Sequence, residues 1–255
     1  RVVLSAHTRT RSTQLAVEEL LGYRCAAIIV IGSLMTAAQT RALAKGVKVP
    51  VVVVGAGEQN TGFDVVRSAG DRGIAMVVDH LAELGHHEIA YLHAKSMPPA
   101  TLRLRGYLDA IGSAGLAADV VTVPGADFTE EAGTIAGREL LARDLLPTAV
   151  VTGNDQQAVG LLQVLSRAGV SVPGKVSLTG FDDSRFASLS SVDLTSVRQD
   201  PGAMGQAAVA AAVRRIDGPT LRPSLHVVEP TLVLRGSTGR PRRVTSTAKR
   251  NSTRS

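Results

Sequence analysis

A chain of 255 residues, 44% hydrophobic and 20% charged, suits one large α/β domain or two lobes. Its one cysteine, Cys25, excludes a disulfide framework, and no apolar run approaches the roughly 20 residues of a membrane span. The net charge of +6 sits in the last sixteen residues, where Arg240, Arg242, Arg243, Lys249, Arg250 and Arg254 stand without an acid; the rest of the chain carries 22 basic against 22 acidic residues.

Short apolar runs alternate with amphipathic stretches. Strands are predicted over 2–6, 26–31, 49–54, 89–93, 120–123, 149–152 and 176–179, and helices over 13–23, 36–45, 71–84, 101–114, 129–143, 155–168 and 201–217. Continuous Val and Ile runs with helices between them imply strands buried on both faces, hence parallel sheet. With four Phe, three Tyr and no Trp, the core is built from Ala, Val, Leu and Ile. Gly85, Gly115, Gly169 and Gly218 each follow a helical stretch and suit left-handed helix ends. Asp71 and Asp155 are placed to cap helix starts, and Pro201 takes a first helical position after Asp200. No linker separates two halves, so two lobes require repeated crossings. The turn-rich stretches 94–100, 198–201 and 219–224 are the candidates. Residues 240–255, basic and rich in Ser and Thr, predict a disordered, solvated tail.

Most familiar chemical signatures fail. Gly55-Ala56-Gly57 follows a strand, but the third glycine of a dinucleotide fingerprint falls on Asn60. His86 and His87 are adjacent and point apart, which suits a turn where the helix dipole favours partial protonation. There is no metal-ligand spacing, no G-x-S-x-G elbow and no catalytic constellation, so neither a cofactor nor an enzyme is implied. Polar groups gather instead where strands end, at Gly153-Asn154-Asp155 and at Phe181-Asp182-Asp183. Ligands of open parallel sheets bind there. Asn154 and Asp155 can equally cap a helix, and Asp182 can equally close a turn.

These same strings carry a resemblance. Pro147-Thr148-Ala149-Val150, Gly153-Asn154-Asp155, Gly169-Val170-Ser171-Val172-Pro173 and Val176 through Asp183 closely resemble the effector-binding core of the LacI/GalR repressors. So do Leu194 through Asp200, Glu229 through Thr238, His80 through His86, Ile89 through Leu92 and Arg103 through Tyr107. The resemblance spans about 1–239. It implies an α/β, periplasmic-binding-protein-like fold of two lobes, each a parallel sheet flanked by helices. The first lobe is expected over 1–94 plus 199–222, and the second over 95–198 plus 223–239.

Roles follow position by position. Arg103 resembles the arginine that clamps the effector, and Phe128 the aromatic against its apolar face. Asn154 and Asp182 resemble the amide and carboxylate that bond ligand hydroxyls or ring nitrogens. Ser33 resembles a first-lobe pocket position, and Gln199 sits at a crossing. Many members carry acids where this chain has Gly55 and Arg67, so the first-lobe wall loses acids and gains a cation at Arg67, which leans toward an anionic effector.

The resemblance further implies a cytoplasmic homodimer that senses a small polar effector, with no membrane contact, and that reaches operator DNA through a helix-turn-helix head. Residues 2–31 align with the second strand, second helix and third strand of the family's first lobe. The head, the hinge and the first strand with its helix are then missing, and the strands at 2–6 and 26–31 lack the neighbour between them. The rival reading is a periplasmic sugar-binding protein of an uptake system, which shares the fold.

Overall fold

A computed structural model of the chain describes residues 2–6, 8, 10–32, 35–55, 62–94, 98–123 and 127–242. The valine run Val51–Val54 is buried at every position, as a strand covered on both faces must be. It lies inside a four-stranded parallel sheet, in the order β1 (Ile28–Ile31), β2 (Val51–Val54), β3 (Asp64–Ser68) and β9 (Leu225–Val228). On one face lie α1 (Thr13–Gly22) and α2 (Ala37–Gly46), whose Val17, Leu20, Leu21 and Leu43 pack on Ile28, Val30, Val53 and Val65. On the other lies α7 (Pro201–Asp217), with Met204, Ala208, Ala211 and Ala212 against Val52, Val54 and Val66.

The second sheet has six strands, in the order β10 (Thr231–Val233), β8 (Thr195–Arg198), β7 (Ser177–Phe181), β6 (Ala149–Thr152), β4 (Ile89–His93) and β5 (Asp119–Thr122). All run parallel except β10, which pairs antiparallel with β8, so this lobe departs from the expected purely parallel sheet. One face carries α3 (Gly70–Glu83) and α4 (Pro98–Ser113), which bring Ile74, Val77, Leu81 and Ile111 onto Ile89, Tyr91, Val151 and Phe181. The other carries α5 (Glu130–Leu141) and α6 (Asp155–Arg167), over Val121, Val150 and Leu178.

The chain crosses between the sheets from β3 into α3, from β8 into α7, and from β9 into β10. The crossings lie side by side: the Ala69 amide donates to Val228 O at 2.9 Å, Ser68 is in register with Val228, and Arg198 with Thr231. This moves two expected boundaries. The stretch 70–94 was placed with the first sheet, yet β4 pairs with β5 and β6, and α3 packs beside α4. The stretch 223–228 was placed with the second sheet, yet β9 pairs with β3. The stretches 94–100 and 219–224 each connect elements of one lobe, β4 to α4 and α7 to β9, and turn composition does not distinguish such a connection from a crossing. The crossing expected within 198–201 lies there.

Three local expectations also change. Residues 2–6 join neither sheet: Val2 and Leu4 are 86% and 91% exposed, and β1 ends its sheet with no described partner on the outer side. A strand without a ladder neighbour has no hydrogen bonds to hold it. The left-handed helix ends appear at Gly85, Gly115 and Gly169 (φ +95°, +68° and +69°), while Gly218 has φ −132°. Asp200 caps α7 ahead of Pro201 as expected, but Asp71 lies inside the first turn of α3 and bonds Arg105 instead. The basic tail lies outside the described residues from 243 onward.

After β10 the chain forms a strap across the second sheet. The Ser237 hydroxyl donates to Leu178 O at 2.6 Å and accepts from the Thr195 amide at 2.8 Å. His86 clamps the strap's end, with Nε2 at 2.8 Å from Gly239 O and Nδ1 at 2.9 Å from Thr148 Oγ1. Its ring is 1% exposed, and burial holds its pKa below the ordinary histidine value. The expected partial protonation by a helix dipole is overridden by desolvation.

Two predictions follow from this packing. The unfolded chain takes up a proton at His86 near its ordinary pKa of about 6.5, whereas the native ring resists it, so the clamp's contribution is full above that pH and declines below it. Urea unfolding should therefore show a smaller acid loss between about pH 7.5 and about pH 5.5 in His86→Gln than in the parent chain, beneath a lower starting stability. Gly106 and Gly112 share α4, but a Cβ at 106 would run into the Asp71 carbonyl, whereas one at 112 meets open space. Gly106→Ala should cost about 1–3 kcal/mol or more, and Gly112→Ala should be neutral or stabilising, by the same unfolding measurement.

Candidate functional site

Arg103 projects from α4 toward the carboxyl ends of β6 and β7 and is 5% exposed. A guanidinium keeps its charge in a protein, so it must be compensated where it is buried. The Phe181 ring lies 3.8 Å from its central carbon and the Phe128 ring 4.9 Å, an aromatic sandwich that suits a planar cation. Nη1 donates to Gly153 O, and Nη2 stands 3.7 Å from Asp182 Oδ1. Glycines make the room: a Cβ on Gly70 would lie 3.3 Å from Arg103 Cγ, and one on Gly153 would lie 2.6 Å from the Phe128 ring.

Asn154 holds the Phe128 segment in place. It is the N-cap of α6: Oδ1 accepts from the Gln157 amide at 3.0 Å, while Nδ2 donates to Phe128 O at 3.1 Å. Gln157 repeats the brace, donating to Asp127 O at 3.1 Å and accepting from the Gly153 amide at 2.9 Å. The cap and the ligand-contact readings of Asn154 are therefore compatible. Each polar atom of its amide keeps a second hydrogen-bonding position.

Asp182 has φ +112° and Asp183 φ +47°, so the turn after β7 is held in the left-handed half of backbone space. Asp155 beneath it supplies the hold: Oδ1 accepts from Ser196 Oγ and Oδ2 from the Ser184 amide, both at 2.6 Å. Asp183 is fixed by Arg198 and Arg235, each at 2.6 Å. Burial alone would raise its pKa, but the bonds from Arg235 and Arg198 hold its carboxyl below the usual range. Asp155 goes the other way, raised by burial against the bonds from Ser196 and Ser184.

Asp182 is the least committed of the three acids. Gln199 Nε2, from the second crossing, donates to its Oδ1 at 2.7 Å. Crowding by protein atoms pushes its pKa up to about 6 against the attraction of Arg103, while 37% of its side chain remains open. Water on that open side screens the effect, so the full elevation belongs to a cleft from which water has been displaced.

The structure thus brings Arg103, Phe128, Asn154, Asp182 and Gln199 to one place. Arg67 is the penultimate residue of β3, beside the first crossing, half-buried, with Nη1 donating to Ser68 O at 3.1 Å. Burial would raise the Asp71 carboxyl, but hydrogen bonds from Arg105 and from backbone amides hold it below the usual range, with a smaller contribution from the charge of Arg67. It faces protein as well as solvent. Ser33 lies outside the described residues. Sequence reasoning missed Gln157 and Ser196, and for Asp155 it left the strand-end and the capping readings side by side. Their roles depend on contacts 30 residues away along the chain for Gln157 and 41 for Ser196, and no local spacing encodes those. Among the described residues, no group of His, Cys, Asp and Glu side chains is arranged to hold a metal ion.

Residues 78–238 match the model of the periplasmic binding protein-like domain family. The chain is 34% identical over 239 residues to the HTH-type transcriptional regulator GalR of Escherichia coli K12, covering 92% of this chain and 68% of that protein. It is 35% identical over 191 residues to the ribose operon repressor of the same organism, covering 74% of this chain and 58% of that one. Among solved structures, a LacI transcriptional regulator from a Rhodococcus species superposes with a TM-score of 0.87 at 37% identity, covering 94% of this chain and 87% of its own. The transcriptional regulator CelR in complex with cellobiose superposes at 0.78 with 31% identity, covering 89% and 71%.

The Asp182 pKa is directly measurable. Carboxyl-carbon NMR titration should place it well above the ordinary carboxylate value, and Arg103→Gln, which removes the attracting cation, should move it higher still. A midpoint at the ordinary value in both proteins would mean that the open side dominates and that the cleft floor is effectively solvated.

Proposed function

We propose, from the premise that this chain belongs to the LacI/GalR family of transcriptional regulators, that it is the effector-sensing core of such a regulator. The observation that carries this is the pairing of Arg103 with Asp182 at the strand ends, joined through Gln199 to a crossing between the lobes. The guanidinium donates and the carboxylate accepts, so adjacent hydroxyls of a small polar ligand find matched partners. Phe128 offers an apolar face beside them, the usual requirement of a sugar ring or a flat base.

A ligand seated here touches the second lobe directly and the crossing through Gln199. Differential affinity for two lobe arrangements is what couples the cleft to a distant site. In the intact regulator that distant site is operator DNA, bound by a helix-turn-helix head on a cytoplasmic homodimer. The relatives are regulators, which supports this over the periplasmic uptake protein that shares the fold. The names of the ribose operon repressor and of the CelR–cellobiose complex make ribose and cellobiose sensible first probes, with sugar phosphates and nucleobases after them.

Calorimetry on the folded chain tests the assignment. Arg103→Ala and Asp182→Ala should each weaken effector binding by about 2–4 kcal/mol, the cost of removing one charged hydrogen-bonding partner from a desolvated site. Unchanged affinity in both variants would refute it.

A further inference from the structure

Up to residue 239 the chain is neutral in sum, with 22 basic and 22 acidic residues, but the charge is unevenly placed. The carboxyl ends of β3 and β9 lead into the crossings, so the amino ends of the parallel strands β1, β2, β3 and β9 form the pole of the first lobe that points away from the cleft. Parallel strands need return helices, and α1, α2 and α7 therefore end at the same pole. Arg24, Lys45, Lys48, Arg214, Arg215 and Arg222 stand there, against Asp64 and Asp217. The remainder of the span 1–239 carries sixteen basic residues against twenty acidic ones.

Part of this charge has an internal use. Asp64, 1% exposed, accepts from Arg214 at 2.8 Å and from the Ser224 amide and hydroxyl at 2.9 and 2.7 Å, and its other oxygen stands 3.7 Å from Arg215. One carboxylate shared by two guanidiniums leaves a positive surplus, and Nε and Nη1 of Arg215 are buried with no hydrogen-bond partner. Lys45, Arg214 and Arg215 also lie in last helical turns, where they oppose the helix dipole. That account does not reach Arg24, Lys48 and Arg222. These three lie in the connections before β1, β2 and β9, all are exposed, and among the described residues none of them forms an ion pair.

The spacing suits a polyanion. Four paired strands set their connections in a row about 15 Å long, at about 4.8 Å from strand to strand, and duplex DNA carries one charge per about 1.7 Å of its axis. A row of solvated cations gathers phosphates by releasing their counterions and needs no matched shape. We propose that this pole is a sequence-independent DNA surface of the core itself, in which Arg24, Lys48 and Arg222, backed by Lys45 and Arg214, contact the phosphates of duplex DNA. The surface rests on the placement of charge, and the choice of DNA among polyanions rests on membership of a family of transcriptional regulators. Neither depends on the cleft or its effector.

The test is fluorescence anisotropy with a labelled duplex of arbitrary sequence, two helical turns long, titrated at low and at rising salt. The tail is basic too, so every protein compared is the full-length chain carrying Arg243→Ser, Lys249→Ser, Arg250→Ser and Arg254→Ser. That chain should bind the duplex with a Kd of about 10⁻⁴ M or tighter at low salt, and the affinity should fall steeply as salt rises. Arg24→Gln, Lys48→Gln and Arg222→Gln should each lower the slope of log affinity against log salt by about 0.9, and the triple variant should bind about tenfold or more weakly at low salt. Arg167→Gln, at the end of α6 in the second lobe, should change neither quantity. The substituted side chains are exposed, so the variants keep the fold, and circular dichroism verifies it. Absence of duplex binding at low salt, or a triple variant that binds like its parent, would overturn the proposal. Polyglutamate that binds as tightly as the duplex would overturn the choice of DNA in favour of an acidic protein partner.

Discussion

A guanidinium sealed inside the second lobe sets terms for everything around it. Arg103 cannot discharge itself to suit an apolar setting, so its surroundings must supply compensation permanently. Two aromatic rings, one carbonyl and one distant carboxylate do so, and glycines at 70 and 153 leave the space that lets the rings and the side chain approach. The elevated proton affinity of Asp182 is the other side of the same arrangement. The carboxylate sits where protein atoms disfavour its charge, and the 3.7 Å separation from Arg103 offsets that only in part. The pair is therefore incompletely satisfied, and the proposed effector, bonding both partners, would complete it.

Support for this pair comes from acids that never face the cleft. Asp155 fixes the Ser184 amide and the Ser196 hydroxyl, and Ser196 in turn accepts from the Asp183 amide at 3.0 Å. Asp183 ties the turn to Arg198 near the second crossing and to Arg235 in the C-terminal strap. Three consecutive kinds of contact thus run from the cleft floor to the joint between the lobes and on to the strap. The left-handed backbone at Asp182 and Asp183 persists because these bonds over-determine it.

Much of this was legible in the sequence. Valine runs such as Val51–Val54 announce doubly covered strands through composition alone, and Asp200-Pro201 marks the start of α7 through capping chemistry. Asn154 and Asp182 were visible because strand ends are where ligand groups collect. What stayed hidden depended on partners far along the chain. The strand at Asp64–Ser68 carries Asp and Arg among its valines, and its identity comes from pairing with β2 and β9. The loop composition near 94–100 could not say that β4 and α4 share a lobe, because that is decided by the ladder between β4, β5 and β6. His86 looked like a partly protonated turn residue because the strap that buries it is 153 residues away.

The three crossings differ in length and in the residues that make them. Between β9 and β10 stand only Glu229 and Pro230, and a proline ring fixes one of the two backbone torsions available at its position. Strand pairing seizes the residues on both sides of it. This connection behaves as a rod common to both sheets. The other two links are Ala69, between β3 and α3, and Gln199-Asp200, between β8 and α7. Gln199 is also the residue that holds Asp182. The second crossing and the least committed acid of the cleft are one hydrogen bond apart, so under the proposed cleft assignment a bound effector acts directly on that crossing.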